Sequence, residues 1–251
     1  MPNPYFQFKQ FTIHQQRSAM KVTTDACLFG AWVAKEVKID PDSHQEKDKN
    51  VLDIGTGTGL LSLMYVQKNP DVIIDAIEID KDAYEQAKEN VAGSPWNNRI
   101  HVLPGNVKAF SFEKKYDLII SNPPFYENEL RSGDSKKNIA HHHEGLLLRE
   151  LLQIIQTNLS STGIFCLLIP YKRNKELKIL LKDFSVLQMT FVRQSPEHDY
   201  FRIMLMGELK RETETMIDEI SIRDSTQQYT REFTELLKDY YLGLTSQPPL
   251  Q

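Results

Sequence analysis

The chain has 251 residues, 40% hydrophobic and 25% charged, with 30 basic and 34 acidic side chains giving a formal net charge of −4. These proportions exclude a wholly disordered, collagenous or coiled-coil protein, and a chain this long buries roughly 70–75% of its extended surface without staples. Two cysteines, Cys27 and Cys166, make neither a disulfide framework nor a zinc site and read as small core residues of a reduced protein. No apolar run approaches the ~20 residues of a membrane span. Met1–Gln10 lacks a cationic start followed by an apolar block, so no signal peptide or membrane attachment is expected and the location reads as cytoplasmic. The mild acidity neither announces nor excludes a nucleic-acid partner, because a local basic patch suffices for phosphate contacts.

Residues 1–50 read as an N-terminal cap that ends in the polar connection Lys35–Asn50. Strand and helix signals then alternate: strand Val51–Ile54, helix Leu60–Val66, β-branched strand Val72–Ile79, helix Asp82–Val91, strands Ile100–Leu103 and Tyr116–Ser121. The leucine and isoleucine spacing of Gly145–Leu159 predicts a helix, Gly163–Ile169 a buried strand, and Lys175–Asp183 another helix. Ser185–Gln194 and Phe201–Glu208 are strand-like, and the short Ser195–Tyr200 loop between them implies antiparallel pairing. A charged stretch follows, with a short strand at Glu219–Ile222 and a helix around Thr230–Tyr241. This order predicts an α/β, Rossmann-like fold: a seven-stranded, mostly parallel sheet with an antiparallel last strand and helices on both faces. The whole chain, 1–251, reads as a single domain, with a core at 51–208 and a C-terminal extension at 209–251.

Asp53-Ile54-Gly55-Thr56-Gly57-Thr58-Gly59 falls where the first sheet strand ends. Glycines there permit a tight turn and close approach of a ligand, and the following helix aims its N-terminal amides at the same crevice. A dinucleotide fingerprint needs a further glycine three residues after the second, and that position is Leu60. Glycine at every second residue after an acid instead resembles motif I of class I S-adenosylmethionine methyltransferases. The resemblance implies S-adenosylmethionine as cofactor. It makes Asp53, Gly55, Gly57 and Gly59 the cofactor loop, and Glu78 the acceptor for the ribose hydroxyls. Asn106 in Gly105-Asn106-Val107 then holds the adenine edge, where many members carry Asp. Asp80, the rival acid, reads as a helix cap.

The fourth strand of the sheet ends in Asn122-Pro123-Pro124-Phe125. Two prolines stiffen the backbone and remove amide donors, leaving the Asn122 side-chain oxygen and the Pro123 carbonyl as acceptors, with Phe125 as a flat apolar face. That combination suits a planar substrate bearing an NH2 group. An adenine amine is a poor nucleophile, its lone pair being delocalised into the ring. Two acceptors favour a pyramidal nitrogen as charge develops there. The four residues resemble motif IV of amino-methyltransferases, which implies Asn122, Pro123, Pro124 and Phe125 as the catalytic set.

The flanks narrow the family. Phe8-Lys9-Gln10-Phe11, the run Met20–Trp32, Ala140-His141 before a leucine-rich helix, Tyr229–Thr234 and Asp239–Leu242 resemble the bacterial tRNA (adenine-N6) methyltransferases that modify valine tRNA beside the anticodon. That resemblance spans nearly the whole chain. It implies tRNA as partner, with no obligate protein partner evident, and places Lys21, Thr24 and Asp25 in a segment that closes over the cofactor. Read alone, Lys21 and Asp25 are equally a pair of surface charges. Where the family shows Arg before a single His, this chain has Ala140-His141-His142-His143. Adjacent histidines point apart, so no metal site is expected there. Lys114-Lys115, Lys136-Lys137 and Lys172-Arg173 are candidate phosphate contacts or ordinary surface, Glu127–Asn138 is a lid, an RNA contact or a solvated loop, and Trp32 reads as core. Two other functions fit the motifs less well: methylation of a protein glutamine amide, which lacks an N-terminal substrate-recognition domain here, and a non-catalytic RNA-binding module, which would not need an intact Asn122–Phe125.

Overall fold

The computed structural model describes residues 3–38, 49–123, 146–210 and 213–245. A small antiparallel hairpin, β1 (Tyr5–Gln7) and β2 (Thr12–His14), precedes α1 (Thr24–Glu36). Then come β3 (Lys49–Ile54), α2 (Leu60–Lys68), β4 (Val72–Glu78), α3 (Lys81–Ala92), β5 (Ile100–Pro104) and β6 (Tyr116–Ser121). The chain continues with α4 (Leu148–Asn158), β7 (Leu159–Pro170), α5 (Asn174–Leu180), β8 (Phe184–Arg193), β9 (Tyr200–Leu209), β10 (Met216–Ser221) and α6 (Arg231–Leu237).

Among the described residues the main sheet has eight strands in the order β10-β8-β9-β7-β6-β3-β4-β5. Strands β3 to β7 pair in parallel, and β9 runs antiparallel between β7 and β8. A connection as short as residues 194–199 can only return antiparallel. The seven expected strands all form, and β10 adds an eighth by pairing in parallel with β8 along Met216–Ser221. That strand begins three residues before the expected Glu219 because its first four residues are exposed and lack apolar alternation.

Period-two alternation sends neighbouring side chains to two separate cores. Val51, Ile74, Ala76, Leu118, Ile120, Cys166 and Leu168 face the layer containing α1, α2 and α6. Leu52, Ile54, Ile77, Ile119, Phe165, Leu167 and Ile169 face α4 and α5. Both cysteines are buried and unpaired, and Trp32 is core. Helix α1 is buried along the whole run Ala26–Ala34. Its Gly30 lies so close to α2 that an added Cβ would meet Met64 Sδ at 2.8 Å. The Tyr65 hydroxyl of α2 donates to Val37 O at the end of α1 (3.0 Å). The two helices therefore run side by side in one direction, and the start of α1 lies toward the start of α2. No helix among the described residues is long and apolar enough to cross a membrane.

Candidate active site

The sheet changes direction of winding at β3. From it the chain moves outward through β4 and β5, then returns to β6 on the other side. Such a switch point opens a crevice beyond the carboxyl ends of the strands. Ile54, the last residue of β3, is level with Ile77 of β4 and Ser121 of β6, and the Ser121 hydroxyl donates to Ile54 O (2.8 Å). Gly55, Glu78 and Asn122 consequently leave three adjacent strands at one height. Two strand spacings put the Glu78 and Asn122 backbones roughly 10 Å apart, on either side of the glycine loop.

Gly55 and Gly57 have φ of +70° and +59°, the left-handed region that glycine enters without a Cβ penalty. A Cβ built at either meets nothing within 4 Å, so the loop's outer surface is open. The amides of Gly55 and Thr56 donate to Ile77 O (2.9 and 3.1 Å), and Gly57 N donates to Glu78 Oε2 (2.8 Å). Glu78 Oε1 accepts from Asp80 N (2.9 Å). Each oxygen of this buried carboxylate is thus anchored by one backbone amide, leaving further lone pairs for a ligand hydroxyl. Asp80 accepts from Ala83 N (2.8 Å) and caps α3. Gly59 sits at the head of α2 with φ +83°.

Asp53 is fully buried beneath the loop. Its Oδ2 accepts from both Thr56 Oγ1 and Ser62 Oγ, each at 2.7 Å. Among the described residues Oδ1 has no hydrogen-bond partner. Burial pushes the carboxyl up to about 6, the two hydroxyls pull it down, and Glu78 nearby raises it further. An orphaned buried oxygen beneath an open glycine cradle fits a cofactor carrying an ammonium group, and Glu78 fits its vicinal hydroxyls. The residues present therefore suit S-adenosylmethionine. Ser62 and Thr56 escape notice in the sequence, since hydroxyls at offsets of nine and three from an acid form no known pattern.

On the next strand outward, Gly105 N donates to Glu78 O (2.9 Å), tying the β5 loop to the site. Asn106 is exposed, and its Oδ1 accepts from Lys108 N (3.0 Å), capping a short 3-10 turn over Val107–Ala109. Its side-chain amide is left facing solvent.

The N-terminal segment closes the same edge. Asn90 of α3 links it to the glycine loop, accepting from His14 N (2.9 Å) and donating to His14 O (2.8 Å) and Thr58 O (2.9 Å). The Lys21 ammonium donates to the carbonyls of Gln15 and Ser18, and Gln15 Oε1 accepts from Val22 N (2.8 Å). Lys21 thereby knots its own segment. Thr24 is exposed in the first turn of α1, which Thr23 caps. Asp25 Oδ2 accepts from Arg202 Nε at 2.6 Å, and Arg202 is level with Pro170 at the carboxyl end of β7. Asn90 and Arg202, from distant parts of the chain, carry no sequence signal.

Asn122 is half-buried and Pro123 buried, just past the carboxyl end of β6. Pro124, Phe125, Glu127–Asn138, Lys136-Lys137 and His141–His143 lie outside the described residues. Among the described residues no group of three or more His, Cys, Asp or Glu side chains could hold a metal.

A parallel sheet with one inserted antiparallel strand, and a glycine loop and an Asn-Pro turn meeting at its switch point, defines the class I methyltransferase architecture. Residues 40–185 match the family model "Methyltransferase small domain". A protein from Agrobacterium tumefaciens described as a predicted O-methyltransferase has the same fold, with a TM-score of 0.63 at 15% identity, covering 86% of this chain and 96% of its own. A tRNA1(Val) (adenine(37)-N6)-methyltransferase from Cytophaga hutchinsonii is 39% identical over 250 residues, 97% of this chain and 100% of the relative. The one from Flavobacterium johnsoniae is 37% identical over 243 residues, 95% of this chain and 100% of the relative. The chain belongs to the tRNA1(Val) (adenine(37)-N6)-methyltransferase family.

Proposed function

We propose that the chain transfers a methyl group from S-adenosylmethionine to N6 of adenine 37, just 3′ of the anticodon, in valine tRNA. The observation that carries this reading is the level exit of Gly55, Glu78 and Asn122 from three adjacent strands, which gives cofactor and amine one crevice. The names of relatives aligned over almost the full chain support the substrate.

Asp53, Gly55, Gly57, Gly59, Glu78 and Asn106 hold the cofactor in this proposal, with Asp53 Oδ1 taking the ammonium and Glu78 the ribose hydroxyls. Lys21, Thr24 and Asp25 shape the segment that closes over it. The cofactor supplies an electrophilic methyl group on a sulfonium. Asn122 Oδ1 and the Pro123 carbonyl accept the two N6 hydrogens, turning the nitrogen lone pair out of the ring plane toward that methyl. As nitrogen becomes positive, both acceptors strengthen, so the stabilisation falls mainly on the transition state. Held there, the cofactor would supply the methyl carbon and leave as the neutral thioether, and the N6 proton would pass to solvent once the nitrogen is alkylated and acidic. Phe125 and Pro124 complete the catalytic set by their place in the motif, the ring as a flat apolar face suited to a base and the proline as a residue without an amide donor. A base stacked in an anticodon loop has to be flipped out to reach this crevice.

Residues 1–251 act here as one methyltransferase domain, with 1–50 as cap, 51–208 as catalytic core and 209–251 as extension. The hairpin and α6 pack into the same core as the sheet, which supports that division. The location proposed is the cytoplasm, where tRNA is modified. Incubation of the protein with valine tRNA and labelled S-adenosylmethionine, followed by mass mapping, is expected to give N6-methyladenosine at position 37. Label at another atom, or none, refutes the assignment.

A further inference from the structure

At the same edge of the sheet as Asn122, three aromatic rings from separate segments meet. Tyr171 opens the 3-10 turn Tyr171–Arg173 after β7, Phe191 lies near the end of β8, and Tyr200 starts β9. Their centroids are 5.6 Å apart for Tyr171–Phe191, 5.4 Å for Tyr171–Tyr200 and 5.3 Å for Phe191–Tyr200. Tyr171 and Phe191 rest against the α4/α5 core on one side, yet all three residues stay partly exposed. A ring that only completes a core is covered; a cluster packed underneath and open above is a platform. The Arg193 guanidinium lies 5.5 Å from the Tyr200 ring centre and ion-pairs with Glu219 (2.6 Å), so the rim is fixed in place.

On the Tyr200 side the platform borders acids, since Glu219 accepts from the Tyr200 hydroxyl and Glu197 and Asp199 lie just before it; the flank that follows Tyr171 is basic. Tyr171–Lys178 reads Tyr-Lys-Arg-Asn-Lys-Glu-Leu-Lys, four cations against one carboxylate. Lys172, Lys175 and Lys178 are exposed, and Arg173 pairs with Glu176 (2.7 Å); Lys175 is the cation on which the phosphate contact is tested. The position also fits. Ser121 is level with Leu167, so Tyr171 stands one strand across from Asn122 and about three residues further along, roughly 11 Å away by strand geometry. A base neighbouring the target nucleotide spans that gap. Aromatic faces beside a positive groove are how proteins hold single-stranded nucleic acid.

We propose that Tyr171, Phe191 and Tyr200 form a stacking platform for an anticodon-loop base next to the flipped adenine, with Lys172 and Lys175 facing the adjoining phosphates. This rests on the tRNA reading above and adds the surface that positions the loop. The test measures steady-state methylation of an unmodified valine tRNA transcript by the full chain. Tyr171→Leu and, separately, Tyr200→Leu are expected to raise KM for tRNA about tenfold, with cofactor Kd and melting temperature close to wild type. Tyr171→Phe is expected to restore KM, because stacking needs the ring and not the hydroxyl. Lys175→Gln is expected to lower the salt slope of tRNA binding by about one. If wild type turns over the tRNA and both leucine variants, folded, keep KM within twofold, the platform is wrong and the tRNA reading stands. If wild type neither binds nor methylates the transcript, both fall.

Discussion

Asp53 and Asn122 bracket the proposed chemistry, one beneath the cofactor and one at the amine. Asp53 titrates near pH 6 because burial outweighs its two hydroxyl partners. Two consequences of opposite sign follow. The cofactor's ammonium needs the carboxylate form, so S-adenosylmethionine affinity should fall as pH drops through about 6, by roughly tenfold near pH 5. The folded chain, meanwhile, binds more protons than the unfolded one between the ordinary Asp range near 4 and about 6. This group's contribution to stability is therefore lost as pH rises through that window. Titration calorimetry across this range checks the first, with Asp53→Asn expected to bind weakly and without pH dependence; chemical denaturation of the unliganded protein checks the second. For Asn122→Ala the expectation is a loss of turnover on the order of 100-fold or more with cofactor binding retained, read by single-turnover transfer and calorimetry. Wild-type turnover in that variant refutes its role. The sequence disclosed these two residues through their motifs, but the hydroxyls that tune Asp53, those of Thr56 and Ser62, became visible only when the glycine loop and the helix after it were folded back over that carboxylate.

Elements register most clearly in the sequence where a short apolar run is bounded by turn residues. Strands Val51–Ile54 and Tyr116–Ser121 lie within or match the observed spans, because each is a short apolar run that ends at glycine or proline, as a strand buried on both faces does. Helix α1 escaped because it is apolar on all sides from Ala26 to Ala34, so it has no amphipathic period to detect. The antiparallel β9 is held by tight packing at Gly207, where an added Cβ would meet the Phe165 ring at 2.5 Å and Ser185 O at 2.8 Å. Gly207→Ala is expected to cost about 1–3 kcal/mol, a melting-temperature fall of several degrees by calorimetry. At Gly57 the space is open and only the left-handed backbone resists, so Gly57→Ala should cost no more than about 1–2 kcal/mol in stability. Asn90→Ala removes the bridge from α3 to His14 and Thr58. It is expected to destabilise by about 1–3 kcal/mol and to weaken cofactor binding, since the glycine loop loses an anchor.

Across the described residues, the sheet separates two basic pairs that sequence alone left equivalent, Lys114-Lys115 and Lys172-Arg173. Lys114 and Lys115 precede β6, at the edge opposite Asn122. There Lys114 pairs with Asp75 (2.9 Å) and Lys115 donates to Thr157 O. Lys172 and Arg173 follow β7, at the same edge as Asn122. Lys114→Gln should therefore leave KM for tRNA unchanged in the steady-state assay while slightly lowering stability through Asp75; a raised KM would contradict this division of the surface. The sequence by itself determined the class of fold, the glycine loop and the Asn-Pro turn, because each depends on residues close together in the chain whose spacing is dictated by local backbone geometry. Tertiary structure alone decided that Gly55, Glu78 and Asn122 share one height, that Asn90 and Arg202 hold the N-terminal segment to that edge, and that three distant rings meet beside it. Those relations are set by strand order and register, which arise from long-range burial and leave no mark in any single stretch of chain.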